Sequence, residues 1–171
     1  MAVKEPNITV RPAIPDDADR MIELLHQVLE IHAALRPDLF ISGTTKYTKE
    51  QVVAHLNNEN RRCYTAVDQD GRVVGYALCE LRKQPASANM TAFDSLYIDD
   101  LCVDGEMRGS HVGTQLFEYV KKEARALGCY EISLNVWEGN RPARAFYDRM
   151  GMKPKKTEME LILSETEQAA R

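Results

Sequence analysis

The turn Arg108-Gly109-Ser110-His111-Val112-Gly113 lies between an apolar, strand-like run at residues 97–103 and a helical pattern that begins at Val112. Strand, glycine-bearing turn and helix in that order constrain the fold strongly. The helix must pack back on a sheet, and its first amides have no intrahelical acceptor. Aligned peptide dipoles favour negative charge at the same place, so the turn is suited to hold a phosphate group.

Period and punctuation place the other elements. Residues 8–11 read as a strand ended by Pro12. Asp16 or Asp17 then offers an N-cap to a helix with Met21, Leu25, Val28, Leu29 and His32 on one face, ending near Arg36-Pro37. A weaker helical pattern runs from about Thr48 through Val52, Val53 and Leu56. Residues 63–67 and 73–79 are β-rich and joined through Asp70-Gly71, a strong hairpin signal. A loop at 83–91 leads into a central strand at 96–103, and Val112, Leu116, Phe117, Val120, Ala124 and Leu127 mark an amphipathic helix stopped at Gly128. A strand at 130–136, a short helix at 141–150 stopped by Gly151, and a last strand around 159–163 follow, then a polar tail at 164–171. This order is mixed α/β of the α+β type, not a doubly wound repeat.

The 171 residues, 44% hydrophobic and 28% charged, suit a single domain over 1–171 with its core at about 8–163. A net charge of −4 argues against nucleic acid, whose binders carry a basic excess. No apolar run approaches the ~20 residues of a bilayer crossing, and residues 1–10 lack the apolar stretch of a secretory signal. The expectation is a cytoplasmic protein with neither a membrane nor a nucleic-acid partner. Cys63, Cys79, Cys102 and Cys129 are far apart, lack C-x-x-C spacing and read as reduced thiols in apolar strands. No metal site is expected, since His26 and His32 are poorly spaced to share an ion and His55 and His111 lie on other elements.

About thirty residues after the turn comes Asn140-x-x-Ala143-x-x-Phe146-Tyr147-x-x-x-Gly151. With both motifs in place, nearly the whole chain, from about 8 to 163, resembles the GNAT superfamily of N-acetyltransferases. The family's acetyl-CoA motif, Gln/Arg-x-x-Gly-x-Gly/Ala after a central strand, is filled with one departure: His111 stands where its first glycine is usual. The resemblance implies a GNAT fold, with a central mixed, mostly antiparallel sheet splayed between strands 4 and 5 and flanked by about four helices. It also implies acetyl-CoA as cosubstrate. Its pyrophosphate would be gripped by the amides of Gly109, Ser110, His111, Val112, Gly113 and Thr114, with Arg108 either adding charge or standing as an exposed turn residue. The pantetheine arm would run along Leu101, Cys102 and Val103, met from the other side by Asn140 and Ala143, with Phe146 and Tyr147 counted among the cofactor-binding residues. A backbone N–H near Leu101 or Cys102 would polarise the thioester carbonyl. The β-carbon of His111 either crowds the pyrophosphate or strains the turn, or else the ring sits outward and only the amide is used.

An alkyl ammonium with a pKa near ~10 is only about one part in a thousand neutral at pH 7, so acetyl transfer needs a proton acceptor, and the departing thiolate gains from a donor. Many relatives place the general acid at the position of Tyr147; a structural reading instead packs that ring beside Phe146. About twelve residues earlier, where some ribosomal-protein N-terminal acetyltransferases carry a glutamate, stands Asn135, which cannot accept a proton. Residues 97–103, Tyr-Ile-Asp-Asp-Leu-Cys-Val, look like the Tyr-Leu-Glu-Asp-x-x-Val segment of the diamine acetyltransferases. By that match Asp99 draws the amine's proton through water and Asp100 holds a cationic substrate. Adjacent side chains of a regular strand point to opposite faces, so a bulge is required for both to serve one pocket. Glu80 or a water relay are alternative bases. Cys102 as a covalent nucleophile stands against direct transfer, the family's usual route.

The segments that shape the acceptor pocket in this superfamily, here roughly 26–47 and 156–161, carry no readable motif. Glu30, Asp99, Asp100, Glu158 and Glu160 favour a cationic amine unless they are merely solvated surface. The leading reading is an acetyl-CoA-dependent N-acetyltransferase acting on a small or peptide-borne primary amine. Small amines and polyamines rank ahead of protein N-termini because Asn135 replaces the glutamate. A non-catalytic acyl-CoA sensor is the alternative from another class, and a different donor such as succinyl-CoA would need a cation near the acyl end. Homodimerisation, common among relatives through their terminal strands, is also expected.

Overall fold

The computed structural model describes residues 7–163. Its five strands form one sheet in the order β1-β2-β3-β4-β5. β1 (Thr9–Pro12), β2 (Arg61–Val67), β3 (Val73–Gln84) and β4 (Phe93–Val103) are antiparallel, and β5 (Glu131–Leu134) joins β4 in parallel. Four α-helices accompany the sheet: α1 (Ala18–Leu35), α2 (Lys49–Leu56), α3 (Val112–Ala126) and α4 (Arg141–Arg149).

Alternation along the strands feeds two separate clusters, one on each face. Tyr64, Ala66, Val74, Leu96 and Ile98 pack with Val112, Leu116, Phe117 and Val120 of α3, and Phe146 and Tyr147 of α4 border them. Cys63, Tyr76, Leu78 and Cys102 pack with Met21, Leu24 and Leu25 of α1 and Val52 of α2. Caps set where the helices begin. The Thr48 hydroxyl accepts from the Gln51 amide while the Gln51 side chain accepts from the Thr48 amide, closing a capping box on α2. Buried Asp17, at the N-cap of α1, receives Arg11 at 2.7 Å and so ties β1 to that helix.

Two boundaries differ from the sequence reading. β3 runs on to Gln84 and β4 begins at Phe93, because their polar ends pair with one another from Glu80↔Tyr97 to Gln84↔Phe93. The last strand expected around 159–163 does not form: residues 152–163 have no regular structure, and Met159, Leu161 and Leu163 are exposed. Alternating apolar residues make a strand only when a neighbour accepts the ladder, and β5 pairs with β4 alone among the described residues. The polar tail at 164–171 lies outside the described residues.

The approach of α3 to the sheet depends on Gly75. A β-carbon there would lie 2.9 Å from the Cys102 carbonyl oxygen and 3.0 Å from Leu116 Cδ1. Because neither the β4 backbone nor the packed leucine yields cheaply, Gly75→Ala is expected to cost about 1–3 kcal/mol by overpacking, read as a lower denaturant midpoint at unchanged slope.

Candidate active site

β4 and β5 pair only from Ser95↔Glu131 to Ile98↔Leu134; beyond that point β4 continues to Val103 while β5 has ended. This is the splay. The Asp104 amide donates to the Val74 carbonyl at 2.9 Å, so that pair is hydrogen-bonded. Alternation along an antiparallel ladder then turns the main-chain groups of Leu101 and Val103 away from β3 and into the opening.

Beside the opening the β3–β4 ladder is irregular. Leu78 faces Asp100 and Cys79 faces Ile98, which leaves Asp99 as the extra residue of a β-bulge. The extra residue reverses the pleat: Ile98 and Leu101 both lie on the α3 face, whereas Cys102 lies on the α1/α2 face. Asp99 turns to that second face as well. One carboxylate oxygen receives the Tyr47 hydroxyl at 2.6 Å, the other receives the Lys46 ammonium at 2.9 Å, and the Arg61 guanidinium stands 3.7 Å away. Asp100 neighbours Tyr76, a member of the α1/α2 cluster. The bulge that the adjacent aspartates required is therefore present.

The two aspartates sit in different electrostatic surroundings. Burial pushes Asp99 upward, but the bonds from Tyr47 and Lys46 and the charges of Lys46 and Arg61 outweigh it and hold the carboxyl below its usual value. For Asp100 burial dominates and pushes the carboxyl up to about 6, with Lys46 opposing and Asp99 adding to the rise. The hydroxyl of Tyr76 beside it is buried and has no partner at hydrogen-bonding geometry among the described residues.

Tyr147 packs against Phe146 and Phe117, with ring centroids 5.2 and 6.3 Å away. Burial, then the charge of Asp100, raises its phenol, which therefore keeps its proton through the neutral range. The Cys102 thiol donates to the Leu24 carbonyl at 3.4 Å, and burial pushes it up to about 12, so it supplies no thiolate. Glu80 is paired with Arg82 at 3.0 Å, and Asn135 is exposed just past β5.

At the start of α3, Gly109 has φ 81° and His111 has φ 60°, the single positive φ outside glycine among the described residues. The His111 ring is exposed, which matches the outward reading. The amides of Gly109, His111, Val112, Gly113 and Thr114 meet no acceptor among the described residues, whereas that of Ser110 is spent on the Met107 carbonyl at 3.3 Å. The expected nest of six donors is thus reduced by one. Arg108 is exposed and near enough for its charge to be felt at Cys102. Asn140 and Ala143 first serve each other: the asparagine side-chain oxygen accepts the Ala143 amide at 3.3 Å and caps α4, leaving its NH2 group for a ligand. The Phe146 ring lies 3.3 Å from where a β-carbon of Gly113 would sit, so α3 and α4 meet closely.

Several residues here carry no sequence motif. Lys46 and Tyr47 reach Asp99 from the α1–α2 connection, and Arg61 reaches it from β2. His32, Phe40 and Trp137 form an aromatic cluster, with His32–Phe40 and Phe40–Trp137 centroids both 5.3 Å apart, and Arg36 lies over the Trp137 ring at 5.8 Å. One local signal existed: the capping box at Thr48 fixes Tyr47 as the residue entering α2.

The model of the acetyltransferase (GNAT) family matches residues 25–152. The chain belongs to the GNAT acetyltransferase family. It is 26% identical over 133 residues, 78% of this chain and 77% of the other, to a Bacillus subtilis (strain 168) protein named for ribosomal protein bS18-alanine N-acetylation. A glucosamine 6-phosphate N-acetyltransferase of Arabidopsis thaliana is 30% identical over 63 residues, 37% of this chain and 40% of the relative. The crystal structure of a single-site mutant of the Bacillus halodurans protein BH1408 superposes with a TM-score of 0.88 at 31% identity, over 91% of this chain and 99% of that one. This GNAT acetyltransferase is an N-acetyltransferase that takes its acetyl group from acetyl-CoA. The unpartnered amides at the N-terminus of α3 and the splay-facing groups of Leu101 and Val103 suit that donor. No helix of the described residues is long and apolar enough to cross a membrane.

A non-glycine residue in the left-handed region costs roughly 1–2 kcal/mol. His111→Gly is therefore expected to raise stability by about 1 kcal/mol in a thermal melt, with KM for acetyl-CoA unchanged because the amide at 111 remains.

Proposed function

We propose that this GNAT acetyltransferase moves acetyl directly from the thioester to a small or peptide-borne primary amine, with Asp100 as general base and Tyr147 as general acid. The observation carrying this is the bulge at Asp99, which turns Asp100 to the face under α1 and α2 at the edge of the splay. A carboxyl poised near 6 is largely ionised at neutral pH yet basic enough to accept the ammonium's proton. The neighbouring Tyr76 hydroxyl, though short of hydrogen-bonding geometry, favours its ionised form. As the nitrogen–carbon bond forms and the carbon–sulfur bond breaks, the Tyr147 phenol gives its proton to the sulfur, and the second proton that the nitrogen sheds on becoming an amide restores the phenol. The amide of Leu101 or Val103 meets the carbonyl oxygen, while the amides of Gly109 and of 111–114, with Arg108, hold the pyrophosphate.

Asp99 stays outside the proton path in this reading, its oxygens being engaged by Tyr47 and Lys46. The non-catalytic alternative rested on His111 crowding the pyrophosphate, and an exposed ring removes that motive. A homodimer that covers the exposed Met159, Leu161, Ile162 and Leu163, and a cytoplasmic setting that keeps the four free cysteines reduced, belong to the same proposal. Incubating the protein with acetyl-CoA and a panel of primary amines, with thiol release as readout, tests the activity. Acetylated amine is expected in proportion to thiol. Tight acetyl-CoA binding with no amine turned over removes the reading.

A further inference from the structure

Three of the five carboxylates that favoured a cationic acceptor are engaged inside the molecule. Glu30 accepts from the Ser42 hydroxyl at 2.7 Å and the Gly43 amide at 2.6 Å, fastening the α1–α2 connection to α1. Glu160 holds Arg36 at 2.6 Å. Asp99 is capped by Tyr47 and Lys46, with Arg61 beside it. Asp100 is the proposed base, and the proton it takes from the amine leaves it no charge for a second ammonium. Among the five acidic residues singled out in the sequence, Asp100 and Glu158 have no ion pair and no hydrogen bond of good geometry among the described residues, and Glu158 lies on the exposed C-terminal stretch.

The cations on this face are less completely matched. Lys46 places its ammonium on both the carboxylate and the main-chain carbonyl of Asp99, at 2.9 and 3.2 Å, and its side chain is 39% exposed. An ammonium carries three donors, so one remains. Arg61 Nη1 is buried and has no hydrogen-bond partner among the described residues, with Asp99 at 3.7 Å as its nearest carboxylate. Two cations thus adjoin the Asp99 carboxylate, whose oxygens are already engaged, next to the proposed base. A second positive charge on an acceptor meets repulsion here, whereas an anionic group finds an unused donor.

We infer that the acceptor is a primary amine bearing an anionic group, a carboxylate or a phosphate, and that Lys46 recognises that group while Asp99 holds Lys46 in place. Lys46 is then a specificity-determining residue, and Asp99 is a positioning residue. The inference rests on the proposed acetyl transfer for its substrate, but charge preference is also readable from binding alone.

The test uses matched acceptors that differ by one anionic group: an amino acid against its amide, and a phosphorylated amino sugar against the unphosphorylated one, with a diamine as the cationic control. The anionic member of at least one pair is expected to show a kcat/KM about tenfold higher or more, and the responding pair tells carboxylate from phosphate. Lys46→Gln should raise KM for that member and bring the ratio near one, whereas Lys46→Arg should keep it. KM for acetyl-CoA should stay constant in both variants, which separates recognition from a general loss of fold. The same compounds are titrated calorimetrically into CoA-loaded protein. Preferential binding of the anionic member without turnover overturns the proposed activity and leaves this inference standing. Equal binding within each pair, or a preference for the diamine, overturns the inference.

Discussion

Tyr147→Phe is expected to lower kcat by about a hundredfold or more, with KM for acetyl-CoA changed less than about twofold. General acid catalysis contributes typically 10²–10⁴-fold, and Tyr147 is the donor proposed for the departing thiolate. The ring itself remains. Its edges against Phe117 and Phe146 are apolar contacts that a phenyl group keeps, so the fold and the adjoining cofactor groove are expected to survive. The wild-type pH profile adds a check. Burial and the Asp100 charge raise the phenol above its ordinary value of 10.0, so no alkaline limb attributable to Tyr147 is expected below about pH 10. A fall of only a few-fold in kcat assigns protonation of the sulfur to solvent and leaves Tyr147 as a packing residue.

What the sequence revealed about this site divides by the range of the interactions involved. The turn at Asp70-Gly71 and the glycine stops at 128 and 151 are written within a few residues, and all appear where the pattern puts them. The turn at 108–113 was legible as a turn for the same reason, since its conformation is set by consecutive residues. The bulge at Asp99 was legible as a requirement but not as a fact, because register is decided by β3, about twenty residues away. The partners of Asp99 were not legible at all. Lys46 and Tyr47 lie 53 and 52 residues from it, in a connection whose sequence has no period, and only the packing of α2 against β2 brings them there. The missing strand at 159–163 is the converse error, a correct local pattern for which the described structure supplies no neighbouring edge.

Asp100→Asn separates function from stability more sharply than any other substitution. Removing the base is expected to lower kcat about a hundredfold, since an amide cannot take the amine's proton. In the wild-type protein kcat/KM, which reports the free enzyme, should rise as pH passes about 6, and the kcat profile, with a bound ammonium nearby, should move to lower pH, because a positive neighbour favours the carboxylate. That limb should vanish in the variant. Stability is expected to move the other way. A folded-state carboxyl at about 6, against an ordinary 3.8, binds its proton more tightly when folded than when unfolded. Its contribution is therefore present below about 4 and lost as pH rises through about 6. At about 1.4 kcal/mol per unit, ionising this group in the folded protein at pH 7.5 costs on the order of 2–3 kcal/mol. The neutral amide avoids that cost, so Asp100→Asn should be more stable than wild type by about 2 kcal/mol at pH 7.5 and nearly equal to it at pH 4, measured by urea midpoints at both values. A variant no more stable at pH 7.5 shows that Asp100 is ionised without penalty, and one that keeps its kcat places the base elsewhere on the β4 edge.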